Sequence, residues 1–205
     1  MKNWYPEIVS YCKALDGEFD LISEGRKESL EQIGQYIRSK TNNGESTKLI
    51  VICTHNSRRS HFGQIWLKIA AEYYGLIIET FSGGTEATAF HPNAVKAVGK
   101  CGFQVTSTGD KSNPVYSISF TDDIAPIKCH SKKFDDPANP VSGFGAIMVC
   151  TSAAEACPLV PGADERFVLP YSDPKEFDGT ELEEEKYSER CRQIGREMFY
   201  IVSSL

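Results

Sequence analysis

Two short apolar runs limit the fold more than any other feature of this chain. Leu49 to Cys53 reads LIVIC and Gly145 to Cys150 reads GAIMVC, and each ends on a cysteine. Runs of that length, bounded by turn residues such as Asn42 to Ser46, fit strands buried on both faces, as in a parallel sheet. Helical stripes lie between them. Phe62, Ile65, Trp66, Ile69, Ala70 and Tyr73 follow Ser60 at helical spacing, and Gly75 ends the pattern. Pro92 to Cys101 reads as a second helix, with proline in its first turn and Gly102 at its end. Glu183 to Val202 reads as the last, with Tyr187, Cys191, Ile194, Met198 and Ile201 on one face. Leu76 to Phe81 and Arg166 to Leu169 read as further strands. Strands alternating with helices predict an α/β fold, a parallel sheet covered on both sides.

Two stretches stand outside that rhythm. Residues 1–47 read as a helical N-terminal extension, with apolar spacing over Pro6 to Leu15 and over Ser29 to Ile37. Residues 103–144 read as a β-rich insertion in the 48–205 domain. There Val115 to Phe120 alternates like a half-exposed strand, and Ile124 to Cys129 is its expected hairpin partner.

Composition narrows the function. A net charge of -6 speaks against a general nucleic-acid binder. No apolar run has the length of a membrane span. The start, MKNWYPEIVSYCKALDGEFD, is too acidic and too broken for a secretory signal, so a cytoplasmic protein is expected. Seven cysteines without an export signal read as catalytic or redox thiols rather than a disulfide framework.

The junction after the first apolar run, CTHNSRRS at 53–60, carries the sharpest chemistry. A loop between a strand and a helix gathers backbone N–H groups around one point, and the helix dipole adds positive potential there. A tetrahedral oxyanion fits such a cradle, formed by Thr54, His55, Asn56, Ser57, Arg58, Arg59 and Ser60. Arg59 is a planar, bidentate anion partner, and Ser60 can hydrogen-bond the sulfur of Cys53. Cys53 then sits in an electropositive nest that favours the nucleophilic thiolate. The bland alternative is a buried structural cysteine followed by a surface Arg-Arg pair.

CTHNSRRS resembles the anion loop of the low-molecular-weight protein tyrosine phosphatase superfamily, which includes the thioredoxin-coupled arsenate reductases. Ser82 to Val105, SGGTEATAFHPNAVKAVGKCGFQV, is similar to the strand end and helix that follow in that family. The likeness runs from about Lys48 onward, with 103–144 divergent. It implies a flavodoxin-like three-layer fold with a central parallel sheet, and a role for Cys53 as nucleophile. His55 departs from it, since the family usually has glycine there, and so does Arg58, where many reductases carry cysteine.

Either chemistry of that superfamily needs a proton donor. The resemblance puts Asp173, followed by Pro174, on the general-acid loop; Asp135-Asp136-Pro137 has the same string but comes too early and reads as a turn. VCTSAAEACP separates the two chemistries. Cys150 and Cys157, seven apart and followed by Pro158, resemble the second and third redox cysteines of the reductases. They are too far apart to bond across an ideal helix, roughly 10 Å, so a disulfide there needs local unwinding. Two unrelated core cysteines remain the alternative. The expected activity is reduction of arsenate through a Cys53–Cys150–Cys157 relay, recharged by a thioredoxin-like dithiol protein. The rivals are a phosphotyrosine phosphatase working through a Cys53 phosphoenzyme, and an oxyanion-binding module without turnover. No cofactor is implied. Lys128-Cys129-His130 with Asp135 and Asp136 matches no familiar metal site and reads as an exposed hairpin end. Cys12, Cys101 and Cys191 read as structural.

Overall fold

The computed structural model describes residues 3–156 and 159–205. Its centre is a four-stranded parallel sheet of β1 (Thr47–Cys53), β2 (Ile78–Gly84), β6 (Phe144–Met148) and β7 (Ala163–Val168). The order is β2-β1-β6-β7, with Cys53 opposite Gly84 and Ile52 opposite Met148. The architecture is the expected flavodoxin-like α/β fold. The chain leaves β1 toward β2 on one side, and β6 joins on the other. That reversal opens a crevice beyond the carboxyl ends of β1 and β6, the usual place for a ligand in an open α/β sheet.

Alternation along the strands assigns the layers. Leu49 and Val51 point to one face. There Val51 lies under Gly63 of α3 (Arg59–Tyr74), and Leu49 and Gly145 lie under Tyr36 of α2 (Glu24–Asn42). A β-carbon on Gly63 would come within 2.7 Å of Val51, so glycine sets how closely helix and strand approach. α6 (Glu183–Ser203) packs between α3 and α2, and α1 (Pro6–Asp16) packs on α6. Ile50, Ile52, Ala146 and Met148 face the other way, toward Phe134 and the short α5 (Thr151–Ala156).

The N-terminal helices contribute Ile8, Cys12, Leu15, Leu30 and Ile33 to the same apolar core as the sheet. α2 runs well past Ser29 to Ile37 at both ends, because its polar outer turns carry no apolar signal. β2 starts later than Leu76 and runs on to Gly84. Ile77 is 93% exposed, so its apolar character misplaced the edge. β7 begins three residues before Arg166.

Residues 103–144 form a second, antiparallel sheet, β3 (Gln104–Thr108), β4 (Val115–Ser119) and β5 (Ile127–Cys129). β3 escaped the sequence reading because QVTST is polar and largely exposed. The exposed hairpin end expected at Lys128 to His130 is corrected: Cys129 is fully buried, since β5 is held against β4 over the body of the protein. After β5 the chain runs along the free edge of β2, where Gly84 and Lys133 form a parallel bridge. Asp135-Asp136-Pro137 follows as a turn. No helix among the described residues is long and apolar enough to cross a membrane.

Candidate active site

The crevice at the end of β1 is built around Cys53. Its sulfur lies 3.1 Å from Ser60 Oγ, at the start of α3, and the residue is 3% exposed. Between them the loop turns its carbonyls outward. Cys53 O accepts from Thr85 N, Thr54 O from Glu86 N, Ser57 O from His91 N, and His55 O from the Ser131 and Thr88 hydroxyls. The N–H groups of His55 to Arg58 meet no acceptor among the described residues, and this leaves them for the hollow of the loop. Such convergent, unclaimed donors form an anion nest.

Asn56 makes the turn. Its φ of 45° lies in the left-handed region that asparagine tolerates better than most residues. Its side chain fixes the loop on both sides, donating to Ser60 Oγ at 2.8 Å and accepting from Lys132 N at 2.9 Å. Gly84 lets the second strand end lie directly on the loop: a β-carbon there would come within 2.7 Å of Thr54 O and Asn56 N.

Arg59 and Asp173 meet. The guanidinium donates to Asp173 Oδ2 at 2.5 Å and to Tyr171 O at 2.8 Å, while its buried Nε has no partner. Asp173 also caps the turn that follows, accepting from Lys175 N. Arg58 goes elsewhere. Its side chain donates to Tyr187 at 2.7 Å and to Asp178 at 3.3 Å, so only its backbone remains for the loop. His55 turns outward to Glu86 at 3.5 Å and sits on the rim.

Cys150 belongs to the same crevice, two residues beyond β6. Extending the β1–β6 register by two residues puts it opposite Thr54, whose hydroxyl lies 3.4 Å from the Cys150 sulfur. Strands about 4.8 Å apart, offset by one residue, bring the Cys53 and Cys150 α-carbons to roughly 6 Å, inside the disulfide range. Cys150 is 3% exposed and takes the Ala153 N–H at 3.4 Å. Cys157 lies outside the described residues.

Two hollows of about 630 Å³ each sit along the free edge of β2 and at the base of the sheet, away from these thiols. A hollow of about 340 Å³ bordered by His55, Ser57, Arg58 and His91 adjoins the loop. Its chemistry, not its size, marks the site.

Two comparisons bear on this geometry. The chain is 30% identical to the arsenate reductase of Bacillus licheniformis over 70% of its own length and 86% of that protein. It is 29% identical to the arsenate reductase of Bacillus subtilis, over 75% and 94%. The chain belongs to the arsenate reductase family. Among solved structures, it is similar to a low-molecular-weight phosphotyrosine phosphatase from Vibrio cholerae O395, with a TM-score of 0.54 at 15% identity over 78% of this chain and 96% of that one. A low-molecular-weight protein tyrosine phosphatase from T. tengcongensis has a TM-score of 0.53 at 17% identity, over 78% and 100%. These two likenesses establish the fold. No protein-family model matches the chain.

In this member of the arsenate reductase family, the residues that brace the site were not visible in the sequence. Tyr187 OH accepts from Arg58 and donates to Asp178 at 2.7 Å, with His91 stacked beside it. Burial, and then the Arg58 charge, push the His91 imidazole below its ordinary range. Tyr171, whose carbonyl receives Arg59, donates its hydroxyl to buried Glu197 at 2.7 Å. Arg26 of α2 closes that set, 2.8 Å from Glu197 and stacked over the Tyr171 ring. The N-terminal helices thus reach the Asp173 loop through two side chains. Lys132, buried where the 103–144 segment meets the loop, has its ammonium pushed below the usual lysine range by desolvation. Arg58 and Tyr187 are 129 residues apart and Arg26 and Glu197 171 apart, and the other partners lie in stretches without a motif.

Proposed function

We propose that the chain reduces arsenate to arsenite by a thiol relay. The observation that carries this reading is the Cys150 sulfur held beside Thr54, two residues beyond the strand that pairs with that of Cys53, in a member of the arsenate reductase family. Arsenate enters the nest and takes over the Arg59 fork now occupied by Asp173. Release from Arg59 frees the Asp173 carboxyl to face the oxygen that departs. Cys53 attacks arsenic, an As–O bond breaks, and Asp173 protonates the departing oxygen. Cys150 then attacks the Cys53 sulfur. The S–As electron pair stays on arsenic, which leaves as arsenite, and a Cys53–Cys150 disulfide remains. Cys157 attacks Cys150, frees Cys53, and leaves a Cys150–Cys157 disulfide for an external dithiol protein of the thioredoxin kind.

The test is arsenate-dependent NADPH oxidation, coupled through thioredoxin and its reductase, beside hydrolysis of p-nitrophenyl phosphate. Reduction that requires Cys53, Cys150 and Cys157 is expected. Aryl phosphate hydrolysis with no arsenate-dependent loss of thiols would sink the relay in favour of a phosphatase.

A further inference from the structure

Four described cysteines, Cys12, Cys101, Cys129 and Cys191, have no part in that relay. Two of them face each other. Cys101, at the C-terminal end of α4 (Pro92–Lys100), places its sulfur 3.9 Å from that of Cys191 in α6. Both are buried, and the Trp66 indole N–H donates to Cys191 Sγ at 3.3 Å. A hollow of about 480 Å³ bordered by Tyr11, Lys100, Glu189 and Arg192 opens beside Cys101.

The separation decides what this pair does. A disulfide needs about 2.04 Å between sulfurs, so the side chains would have to close by nearly 2 Å. A thiophilic centre bonded to both sulfurs at about 2.3 Å, the zinc–thiolate length, spans sulfurs roughly 3.3–3.8 Å apart. The resting pair is already close to that span. Among the described residues no group of three or more His, Cys, Asp or Glu side chains is set to hold a metal ion, so the fitting guest takes two sulfurs and brings its own third ligand.

We propose that Cys101 and Cys191 form a second thiol site, which captures trivalent arsenic as a dithiol adduct; the identity of the guest as the enzyme's own product rests on the reductase reading. The step is As(OH)₃ + 2 RSH → (RS)₂AsOH + 2 H₂O. Two As–O bonds break and two As–S bonds form. The thiol protons leave in water, and no electrons move. The remaining hydroxide faces the hollow, where Tyr11 and Arg192 supply hydrogen-bond partners. The hydrogen bond from Cys191, and after it that from Tyr11 and the Arg192 charge, bring the Cys101 thiol below its ordinary range against the effect of burial, while burial pushes the Cys191 thiol well above its own. A bound arsenic would tie α4 to α6 beneath Trp66.

The experiment uses the full chain with Cys53, Cys150 and Cys157 all replaced by serine. Of seven cysteines, four then remain. Sodium arsenite is titrated into the reduced protein, and free thiols, intact mass and tryptophan fluorescence are followed. One arsenic per chain is expected, with accessible thiols in denaturant falling from four to two and fluorescence changing in step. Peptide mapping of the protected thiols should return Cys101 and Cys191, which identifies the site even if further variants fold poorly. Cys101→Ala and Cys191→Ala should each abolish uptake. Four reactive thiols at saturating arsenite, protection of a different pair, or uptake unchanged by Cys101→Ala would overturn the proposal. Wild-type arsenate reduction is measured separately. Its absence with arsenite still captured would sink the reductase reading and leave the site standing.

Discussion

β1 and β6 are neighbours, run the same way, and each delivers a cysteine to the same crevice. The chain treats the two ends oppositely. After Cys53, every turn of the loop is held from outside, by Thr85, Glu86, His91, Ser131 and Lys132, and Asn56 locks it from within. After Cys150 comes a six-residue helix of small side chains, in which Thr151, Ser152 and Glu155 are exposed and Ala153 is buried. Helices that short gain little from propagation and depend on what they pack against. One end is built to keep a geometry, as an anion nest must. The other must give way in the proposed relay, where Cys150 attacks Cys53 and is then itself attacked by Cys157, seven residues on.

The contrast breaks first at its rigid end. Cys53→Ser should lower both arsenate reduction and p-nitrophenyl phosphate hydrolysis by roughly 10⁴–10⁶-fold, because a unit of nucleophile and cradle fails as a whole. Steady-state rates of the purified variant check it, and substantial turnover with either substrate would mean that Cys53 is not the nucleophile. Cys150→Ser should separate the two ends. Arsenate reduction should fall at least ~10³-fold, since electrons no longer reach arsenic, while ester hydrolysis stays within about threefold, because water resolves the Cys53 adduct. A parallel loss of both activities would show that Cys150 supports the nest instead of discharging it.

Asp173→Asn should cost about 10²-fold or more on esters with poor leaving groups and less on good ones. Equal losses across a leaving-group series, or a larger loss from Asp136→Asn, would remove Asp173 from the acid role. Arg26→Met should destabilise the protein by about 3 kcal/mol, since it strands the buried Glu197 carboxylate. The same change should lower turnover through Tyr171 and the Asp173 loop, and a denaturant titration beside kinetics separates the two effects. An unaltered kcat would confine Arg26 to the core. The smallest effect belongs to the yielding end. Ala154→Gly should cost at most about 1 kcal/mol of local helix stability. Amide hydrogen exchange is expected to quicken over α5 and stay unchanged in β1, and spread of the change into β1 would mean that the two strand ends are not independent.

The legible part of this protein was the part whose physics is local. LIVIC and GAIMVC could be read as buried strands, and CTHNSRRS as an anion loop, because hydrophobic period, a strand-to-helix junction and the chemistry of thiol and guanidinium all act within a dozen residues. Asp173 was singled out only through the family resemblance, which puts it between the last strand and the last helix. QVTST was not legible as a strand, since its partner VYSIS and not its own pattern makes it one. Nor did Ile77 betray its exposure, because only the neighbours decide which apolar residue is covered.

Tertiary structure alone decided the rest, for one physical reason: burial and hydrogen-bond partnership are properties of pairs. It turned Arg58 away from the cradle and onto Tyr187 and Asp178, although Arg58 and Arg59 are adjacent and chemically the same. It laid the 103–144 segment against the anion loop through Ser131 and Lys132. It linked the N-terminal helices to the Asp173 loop through Arg26, Glu197 and Tyr171, and it brought Cys101 to Cys191 across ninety residues of chain. The sequence by itself determined which atoms could do chemistry and roughly where on the sheet they would stand. Which of them face one another, and which are spent on holding the others still, was settled by packing.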